Sequence, residues 1–208
     1  MNRPDFDERY AEPGWAYGTE PNDFLREMAH RIPPGRVLCL GEGQGRNAVH
    51  LAQLGREVVA VDLSSVGLTR AQELAKERGV QLTTIQADLA TFDQGIAKWS
   101  GVVSIFCHLP STVRRTVHRR IPAALAAGGV FIQESYSPEQ LGRGTGGPKQ
   151  PDYLPSLDEL LEDAAPLDLE VARTMERAIH EGPHHQGRGS VIQLVARKTG
   201  TPHLKEKP

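Results

Sequence analysis

Short apolar runs alternate with helix-spaced segments through residues 36–134 of this 208-residue chain, and no other feature constrains the fold as strongly. The runs are almost continuously apolar, which is typical of strands in a parallel sheet covered on both faces. We predict strands at residues 36–40, 57–61, 81–86, 101–106 and 130–134, and helices at residues 24–31, 46–54, 66–78 and 111–127. This order indicates an α/β fold with helices on both faces of a mostly parallel sheet.

The last third of the chain has a different pattern. A helix is predicted from Ser156 to about Ala164, and two extended runs follow at residues 168–179 and 190–198. The segment EGPHHQGRG joins these runs directly, so we expect them to pair as an antiparallel hairpin. The sequence therefore predicts a single domain over residues 1–208, with a Rossmann-like, seven-stranded, mostly parallel sheet and an antiparallel C-terminal hairpin. Residues 1–30 are expected to form an N-terminal cap segment, and residues 199–208 a disordered tail.

Composition and charge exclude several functional classes. The net charge of −2 gives no broad basic field for nucleic acid or an anionic membrane. Four clustered arginines, at positions 114, 115, 119 and 120, are interpreted as a solvated helix face. No apolar run approaches the roughly 20 residues that span a bilayer, and the polar start MNRPDFDERY is unlike a signal peptide. We expect a cytoplasmic monomer or weak homodimer with Cys39 and Cys107 as buried, reduced thiols in apolar strand-like runs.

The first predicted strand runs directly into the glycine-rich segment LGEGQGRNA. Gly41, Gly43 and Gly45 permit a tight turn and a close approach of a ligand to the backbone, and the following helix points its N-terminus at that ligand. The dinucleotide fingerprint G-x-G-x-x-G would need a glycine where this chain has Arg46. The turn therefore indicates a ligand site other than a dinucleotide site, although a turn that serves only close packing is the alternative.

Two aspartates follow the next two predicted strands. Asp62 ends the run VVAVD, where an acidic side chain can accept hydrogen bonds from both ribose hydroxyls of a nucleoside. Asp88, in QADL, can accept from an exocyclic adenine amine while Leu89 packs near the ring. Together with the glycine turn, these residues lie at the carboxyl ends of three successive strands, where a nucleoside crevice is expected.

The segments YGTEPNDFL, LGEGQGRNA, VDLSSVGL, IFCHLP, GTGGPK and HEGPHHQG carry a family resemblance over nearly the whole chain. The chain resembles class I S-adenosylmethionine-dependent methyltransferases, and more closely the small bacterial members related to tellurite-resistance methyltransferases. The resemblance implies S-adenosylmethionine as cofactor, with S-adenosylhomocysteine as product. It assigns cofactor contacts to Tyr17, Gly41, Glu42, Gly43, Gly45, Arg46, Asn47, Asp62, Leu63, Asp88, Leu89 and Cys107.

The resemblance also distributes these contacts over parts of the cofactor. The glycines would line its methionine part, Glu42 would lie near its ammonium group, and Arg46 and Asn47 would reach its carboxylate. Asp62 would hold the ribose, with Leu63 beside the adenine and Asp88 and Leu89 on the other side. Cys107 and His108 would lie under the sulfonium and its methyl group.

The segment HEGPHH contains a literal H-E-x-x-H, which on a helix binds zinc. Gly182 and Pro183 lie between its histidines, and in a helix interior they would cost about 1 and 3 kcal/mol. We therefore predict a hairpin turn and no metal site. The turn places His184 and His185 at the edge where His108 and Tyr136 also lie, so these four residues are candidates for the acceptor pocket. A polar turn whose histidines are satisfied hydrogen-bonders is the alternative.

Two further segments leave a choice open. Trp15 and Tyr17 either fasten the N-terminal segment to the core or close it over the cofactor. GTGGPK is either a second mobile edge of the site or a surface loop without function. A histidine with a near-neutral pKa is a reasonable base for a thiol or hydroxyl acceptor.

The expected function is methyl transfer to a small molecule, either an oxyanion such as tellurite or selenite, or a thiol. The run CHLP after the fourth strand lacks the Asn/Asp-Pro-Pro-Tyr-like motif that the family uses on amino groups of nucleobases or glutamine. Three alternatives remain: a nicotinamide-dependent oxidoreductase, an S-adenosylmethionine-binding module without catalysis, and a methyltransferase acting on protein or RNA.

Overall fold

The computed structural model describes residues 6–199, so the predicted tail from residue 200 onward lies outside the described residues. The strands are β1 Arg36–Leu40, β2 Glu57–Asp62, β3 Thr83–Gln86, β4 Trp99–Ile105, β5 Leu125–Tyr136, β6 Asp168–His180 and β7 Gln186–Arg197. The helices are α1 Phe6–Ala11, α2 Asp23–Met28, α3 Arg46–Gln53, α4 Ser65–Glu77, α5 Ser111–His118, α6 Ile121–Ala124 and α7 Leu157–Ala164. Short 3-10 turns lie at Ala29–Arg31, Pro138–Gln140 and Pro151–Tyr153.

The strands form one seven-stranded sheet in the order β3-β2-β1-β4-β5-β7-β6. The five strands from β1 to β5 are parallel to one another, and β7 is antiparallel to both β5 and β6. The chain moves outward from β1 to β3 and then returns to the other side of β1 with β4. This reversal creates the crevice at the carboxyl ends of the strands where open α/β sheets bind ligands. The predicted fold class is confirmed.

Each face of the sheet carries its own apolar core. Helices α2, α3 and α4 cover one face, with Phe24, Leu51 and Leu74 among their fully buried side chains. Helices α5, α6 and α7 cover the other face, where Ile121 and Leu160 are buried against the sheet. Burial of apolar surface on both faces explains why the strand sequences are almost continuously apolar.

Several predicted boundaries were wrong. The helix predicted over residues 111–127 is two short helices, and β5 begins at Leu125, which pairs with Trp99 of β4. Pro122 stands in the first turn of α6, where a missing N–H costs no hydrogen bond, and it starts a new helix rather than continuing α5. Strand β3 is shorter than predicted and largely exposed, because it forms an edge of the sheet. Phe106, which was predicted to end the fourth strand, lies beyond the end of β4. Cys107 follows the strand as expected, but it is half-buried rather than buried.

The arginine cluster does not form one solvated face. Arg115 is exposed, but Arg114 is buried, and its Nε donates to Asp163 Oδ2 of α7 at 2.9 Å. Asp163 is also buried, so this ion pair fastens α5 to α7 inside the core. Arg120 donates to the backbone oxygens of Ala90 and Phe92. The prediction failed because the sequence does not show that α7 supplies an acidic partner.

Asp163→Asn should destabilise the protein, because it leaves the Arg114 guanidinium buried with only the partly exposed Glu159 as counter-charge. We expect a loss of about 3 kcal/mol in the free energy of unfolding, measured by urea titration. Glu162→Gln, an exposed position on the same helix, is the control and should change stability by less than about 0.5 kcal/mol. Equal stabilities of the two variants would show that the ion pair does not hold α5 against α7.

Candidate active site

The glycine turn lies between β1 and α3, at the carboxyl edge of the sheet. Gly41, Gly43 and Gly45 have φ values of +63°, +59° and +89°, a backbone conformation that residues with a Cβ rarely adopt. A Cβ on Gly41 would collide with Cys107 Sγ, and one on Gly43 would collide with the Tyr10 hydroxyl. Gly45 packs against Ala71 of α4. The three glycines are therefore required both by the turn and by close packing around it.

Asp62, at the end of β2, supports the turn from beneath. Its Oδ2 accepts from the Gly43 backbone N–H at 2.8 Å, and its Oδ1 accepts from that of Ser64 at 2.8 Å. Burial raises the pKa of this carboxyl, although the two backbone hydrogen bonds oppose the change. Each carboxylate oxygen retains a further lone pair, so the group can also accept from ligand hydroxyls.

Glu42 lies inside the glycine turn and caps α3. Its Oε1 accepts from the backbone N–H groups of Asn47 at 2.9 Å and Ala48 at 2.8 Å. Burial raises the pKa of Glu42 to about 7, while the Ala48 hydrogen bond and the Arg46 charge oppose the increase. An added positive charge beside Glu42 would favour its ionised form.

The three residues assigned to the adenine differ in their exposure to solvent. Asp88 is exposed, and its Oδ1 accepts from the Ala90 backbone N–H. Leu63, with an exposed fraction of 52%, remains open to contact with a ring. Leu89 is buried in the core beneath α5 and α6, so it supports this edge from inside.

Arg46 and Asn47 bind groups of the protein itself. The Arg46 guanidinium donates to Glu181 Oε2 at 2.5 Å, and the side-chain oxygen of Asn47 accepts from the Asn22 backbone N–H at 2.9 Å. Their assignment to a cofactor carboxylate stays a prediction, because each would have to exchange a protein partner for it.

Arg46 belongs to a buried polar network at this edge that the sequence pattern did not reveal. Glu134 of β5 is completely buried and accepts from Arg177, Asn22 and Gln193. Glu181 accepts from Arg177 at 2.6 Å as well as from Arg46. Burial alone would lower the pKa of Arg177, but the two carboxylates raise it overall. The network therefore sets two arginines against two glutamates inside the protein.

A second cluster, which we call the ring cluster, consists of Phe106, His108, Tyr136 and His185. The His108 ring stacks on Tyr136 with centroids 5.5 Å apart. The Phe106 ring lies 4.8 Å from His185 and 4.7 Å from Tyr136. Phe106 has a positive φ of +50°, a strained conformation for a residue with a side chain, which turns the chain after β4.

The histidines of the ring cluster are neutral. Burial lowers the pKa of His108 to about 4 and that of His185 to about 2, with Arg46 adding to the second decrease. Neither ring therefore has the near-neutral pKa that suits a general base, because both rings are enclosed by aromatic neighbours. Among the described residues, neither ring nitrogen of His108 nor Nδ1 of His185 has a hydrogen-bond partner of normal geometry. The Tyr153 backbone lies close enough to oppose part of the His108 shift.

The N-terminal segment is fixed across the same edge. The Ala16 backbone N–H donates to the Gln44 side chain at 2.9 Å, and Arg70 lies over the Trp15 ring at 4.5 Å. The Tyr17 ring is 4.6 Å from His185, while its hydroxyl accepts from Arg9 at 2.7 Å. Trp15 and Tyr17 thus both fasten the segment and place it over the ring cluster.

The H-E-x-x-H residues lie at the hairpin turn between β6 and β7. His180 and His184 are exposed, whereas Glu181 is buried in the polar network. Over residues 6–199 there is no group of three or more His, Cys, Asp or Glu side chains placed to hold a metal ion. In the same range, none of the helices has the length and apolar character needed to cross a bilayer.

Sequence reasoning missed Tyr10, Asn22, Phe106, Glu134 and Arg177. Glu134 and Arg177 lie in strands. A charged residue in a strand can be recognised as buried only when the partner that neutralises it is known, and the sequence does not show that partner. Tyr10 and Asn22 come from the N-terminal segment, whose path over the sheet is set by tertiary contacts alone.

Comparison with known proteins places this site in context. Residues 37–129 match the family described as a methyltransferase domain. The ribosomal protein L11 methyltransferases of Thermus thermophilus and Symbiobacterium thermophilum are 34% and 38% identical over 83 and 89 residues. The matched parts are 38% and 40% of this chain but 33% and 28% of those proteins, so the chain spans about a third of their length.

Solved structures share the fold over most of the chain. One of them was solved in work on the conversion of a disulfide bond into a thioacetal group during echinomycin biosynthesis. It has a TM-score of 0.71 and 20% identity, and the match covers 93% of this chain and 90% of that chain. TehB from Haemophilus influenzae has a TM-score of 0.70 and 18% identity, covering 93% and 66%. The match confirms a methyltransferase domain over residues 37–129. The comparisons support S-adenosylmethionine as the cofactor of that domain.

His185→Asn should reduce the pH dependence of stability. A buried neutral histidine is protonated in the unfolded chain below pH 6.5 but not in the folded one, so its contribution to stability is lost as the pH falls below that value. Between about pH 7.5 and about pH 5, the wild type should lose about 1–2 kcal/mol more than the variant, measured by urea titration.

Glu42, with its raised pKa, makes the folded state more stable as the pH falls over this range, which opposes the effect of His185. Glu42 is present in both proteins, so the difference in stability between wild type and His185→Asn is the quantity to compare. His30→Asn, at an exposed position, is the control and should keep the wild-type pH dependence. An identical pH dependence in His185→Asn and wild type would show that His185 is not held neutral.

Proposed function

We propose that this chain, whose residues 37–129 form a class I S-adenosylmethionine-dependent methyltransferase domain, transfers the cofactor's methyl group to a small-molecule acceptor at the carboxyl edge of its sheet. One observation carries the proposal. The glycine turn, Asp62 and Asp88 follow three neighbouring parallel strands, and the ring cluster follows β4, β5 and the hairpin turn along the same edge. Cys107 Sγ lies against Gly41, which brings the two regions into contact.

The residues present fit the nucleoside half of S-adenosylmethionine. Asp62 has free lone pairs for ribose hydroxyls, and Leu63 and Asp88 are exposed beside it. Glu42 supplies a buried carboxylate for the ammonium group. The methionine half would lie by Gly43, where the Tyr10 hydroxyl packs, so helix α1 has to shift to admit it.

When bound, the cofactor supplies an electrophilic methyl group on a sulfonium. The protein positions and shields the reacting atoms, which is the main source of rate in such displacements. Cys107, His108, Tyr136 and His185 would line the path of the incoming acceptor. His184, which is exposed at the hairpin turn, would face the entrance. The unpartnered ring nitrogens of His108 and His185 can hydrogen-bond the acceptor. Because burial lowers the pKa of both rings, the proton that the acceptor releases on methylation would pass to bulk water rather than stay on either histidine.

A thiol fits this edge better than an oxyanion. Among the described residues, Arg46 and Arg177, the two guanidinium groups buried there, are both held by carboxylates. An oxyanion such as tellurite would have to displace Glu134 or Glu181 to gain a counter-charge. A thiol loses its proton on methylation and needs a polarizable, apolar surrounding, which the ring cluster provides.

The alternatives differ in measurable ways. A nicotinamide-dependent oxidoreductase would bind NADH, a binding module would hold the cofactor without turnover, and the relatives act, by their names, on ribosomal protein L11. Ribosomal protein L11 is therefore included as an acceptor in any assay.

Asp62→Ala should weaken cofactor binding strongly. Wild-type protein is expected to bind S-adenosylmethionine and S-adenosylhomocysteine, and loss of charge-assisted hydrogen bonds to the ribose should weaken both at least about tenfold. Isothermal titration calorimetry measures this, with NADH as the negative control. Asp62 also accepts a hydrogen bond from the Gly43 backbone, so its loss could unfold the turn. Circular dichroism must therefore show that the variant is folded to the same extent as the wild type. Tight NADH binding, or full affinity in Asp62→Ala, would contradict the assignment.

Cofactor affinity should rise with pH through Glu42. Its pKa of about 7 leaves it mostly protonated at about pH 6, so binding a cationic ammonium group there must release a proton. We expect the wild-type affinity to increase about fivefold between about pH 6 and about pH 7.5. Glu42→Gln should bind more weakly at both values and show little change. The same pH dependence in both proteins would place the ammonium group away from Glu42.

A further inference from the structure

The segment GRGTGGPK, residues 142–149, which we call the cover loop, lies against Tyr136 and His185 of the ring cluster through Gly146 and Gly147. Gly146 and Gly147 have φ values of +113° and +87°. A Cβ on Gly146 would lie 2.6 Å from the His184 backbone oxygen, 2.8 Å from His185 Cδ2 and 3.1 Å from the Tyr136 hydroxyl. A Cβ on Gly147 would lie 2.7 Å from Tyr136 Cδ2. The absence of side chains at these two positions lets the backbone touch the rings.

The cover loop is held in this position by specific hydrogen bonds. The Gln140 side chain donates to Thr145 Oγ1 at 2.7 Å and to the Gly146 backbone oxygen at 3.1 Å. Thr145 Oγ1 in turn donates to the Arg188 backbone oxygen of β7 at 3.2 Å. Arg143 forms an ion pair with Glu176 of β6 at 2.6 Å. The loop is thus fastened to the hairpin that carries His185.

The rings beneath the cover loop are neutral and have unused hydrogen-bonding capacity. The positive charges that act on His185 belong to Arg46 and Arg9, outside the ring cluster. Both His108 and His185 are neutral there, and their unpartnered ring nitrogens are buried. Burial also raises the pKa of Tyr136, so its hydroxyl stays protonated. A buried polar atom without a partner is costly, and a ligand that supplies a hydrogen bond removes that cost.

We propose that Gly146 and Gly147 form the ceiling of the methyl-acceptor pocket, and that this ceiling over the ring cluster restricts acceptors to small, uncharged molecules carrying a thiol or hydroxyl. The inference rests on the proposed methyl transfer. It assigns acceptor selection to a loop outside the cofactor site. Charged acceptors are disfavoured, because a charge placed among neutral rings loses its hydration without gaining a counter-charge.

Gly146→Ala tests this inference, with Gly144→Ala as the matched control. Gly144 has a φ of +71°, so alanine there causes similar backbone strain, but a Cβ at Gly144 has nothing within 4 Å. Alanine at Gly146 has to displace the loop, because the backbone oxygen of His184 cannot rotate away.

The first readout is independent of methyl transfer. Diethyl pyrocarbonate modifies neutral imidazoles, and peptide mass spectrometry reports the rate at each histidine. We expect His185 to react several-fold faster in Gly146→Ala than in wild type or Gly144→Ala, while exposed His184 reacts alike in all three. Equal rates at His185 in both variants would overturn the ceiling assignment, whatever the protein's activity.

The second readout uses 2-mercaptoethanol, benzyl mercaptan and tellurite as probe acceptors. Wild type should methylate the smallest thiol best and tellurite poorly. Gly146→Ala should lower kcat/KM for 2-mercaptoethanol about tenfold, since small misplacements of a bound acceptor cost large factors in rate. Its preference between the two thiols should shrink, while the calorimetric affinity for S-adenosylmethionine stays unchanged.

The outcomes separate the two proposals. Methylation of none of the probes, with histidine protection intact, counts against the proposed thiol acceptor but leaves the ceiling supported. Preference for tellurite over both thiols would overturn selection for uncharged acceptors. Equal loss of cofactor affinity and acceptor turnover in Gly146→Ala would mean that the loop acts on the fold rather than on the acceptor.

Discussion

The buried network of Glu134, Glu181, Arg46 and Arg177 is the constraint on which the carboxyl edge depends. Burying two positive and two negative side chains costs free energy unless each is matched, and here every carboxylate faces a guanidinium. The four residues come from α3, β5, β6 and the hairpin turn, and Asn22 adds the N-terminal segment. One polar network therefore joins the helix after the glycine turn, the C-terminal hairpin and the N-terminal segment, so these parts cannot be positioned independently.

The same edge divides into a charged half and a neutral half. The network compensates its charges internally, and the ring cluster beside it keeps both of its histidines neutral through burial. A methyl acceptor entering between the glycine turn and the ring cluster would therefore encounter an apolar, polarizable wall with a few open hydrogen-bonding sites. This surrounding suits a nucleophile that becomes strong when it leaves water, and it explains why the acceptor proposal favours thiols over oxyanions.

The parts that the sequence predicted well are those set by local pattern. Continuous apolar strands, the turn at Gly41–Gly45 and the direct hairpin connection fix the sheet, and the position of Asp62 follows from the end of its strand. The errors occurred where distant segments meet. Arg114 was placed on a solvated face because its partner Asp163 lies 49 residues away. The enclosure of His185 by Phe106 and Tyr136 is likewise a tertiary fact that no local pattern shows. The assignment of Arg46 to the cofactor stays a prediction, and its ion pair with Glu181 is a contact that the local pattern did not show.

The most direct test of the account is methyl transfer from S-adenosylmethionine labelled in its methyl group, offered to a small thiol, tellurite and ribosomal protein L11 in parallel. The account predicts a labelled methyl thioether, formed in step with S-adenosylhomocysteine and lost in Asp62→Ala. Label transferred to the protein acceptor alone, or bound cofactor with no label transferred, would contradict methyl transfer to a small molecule at this edge.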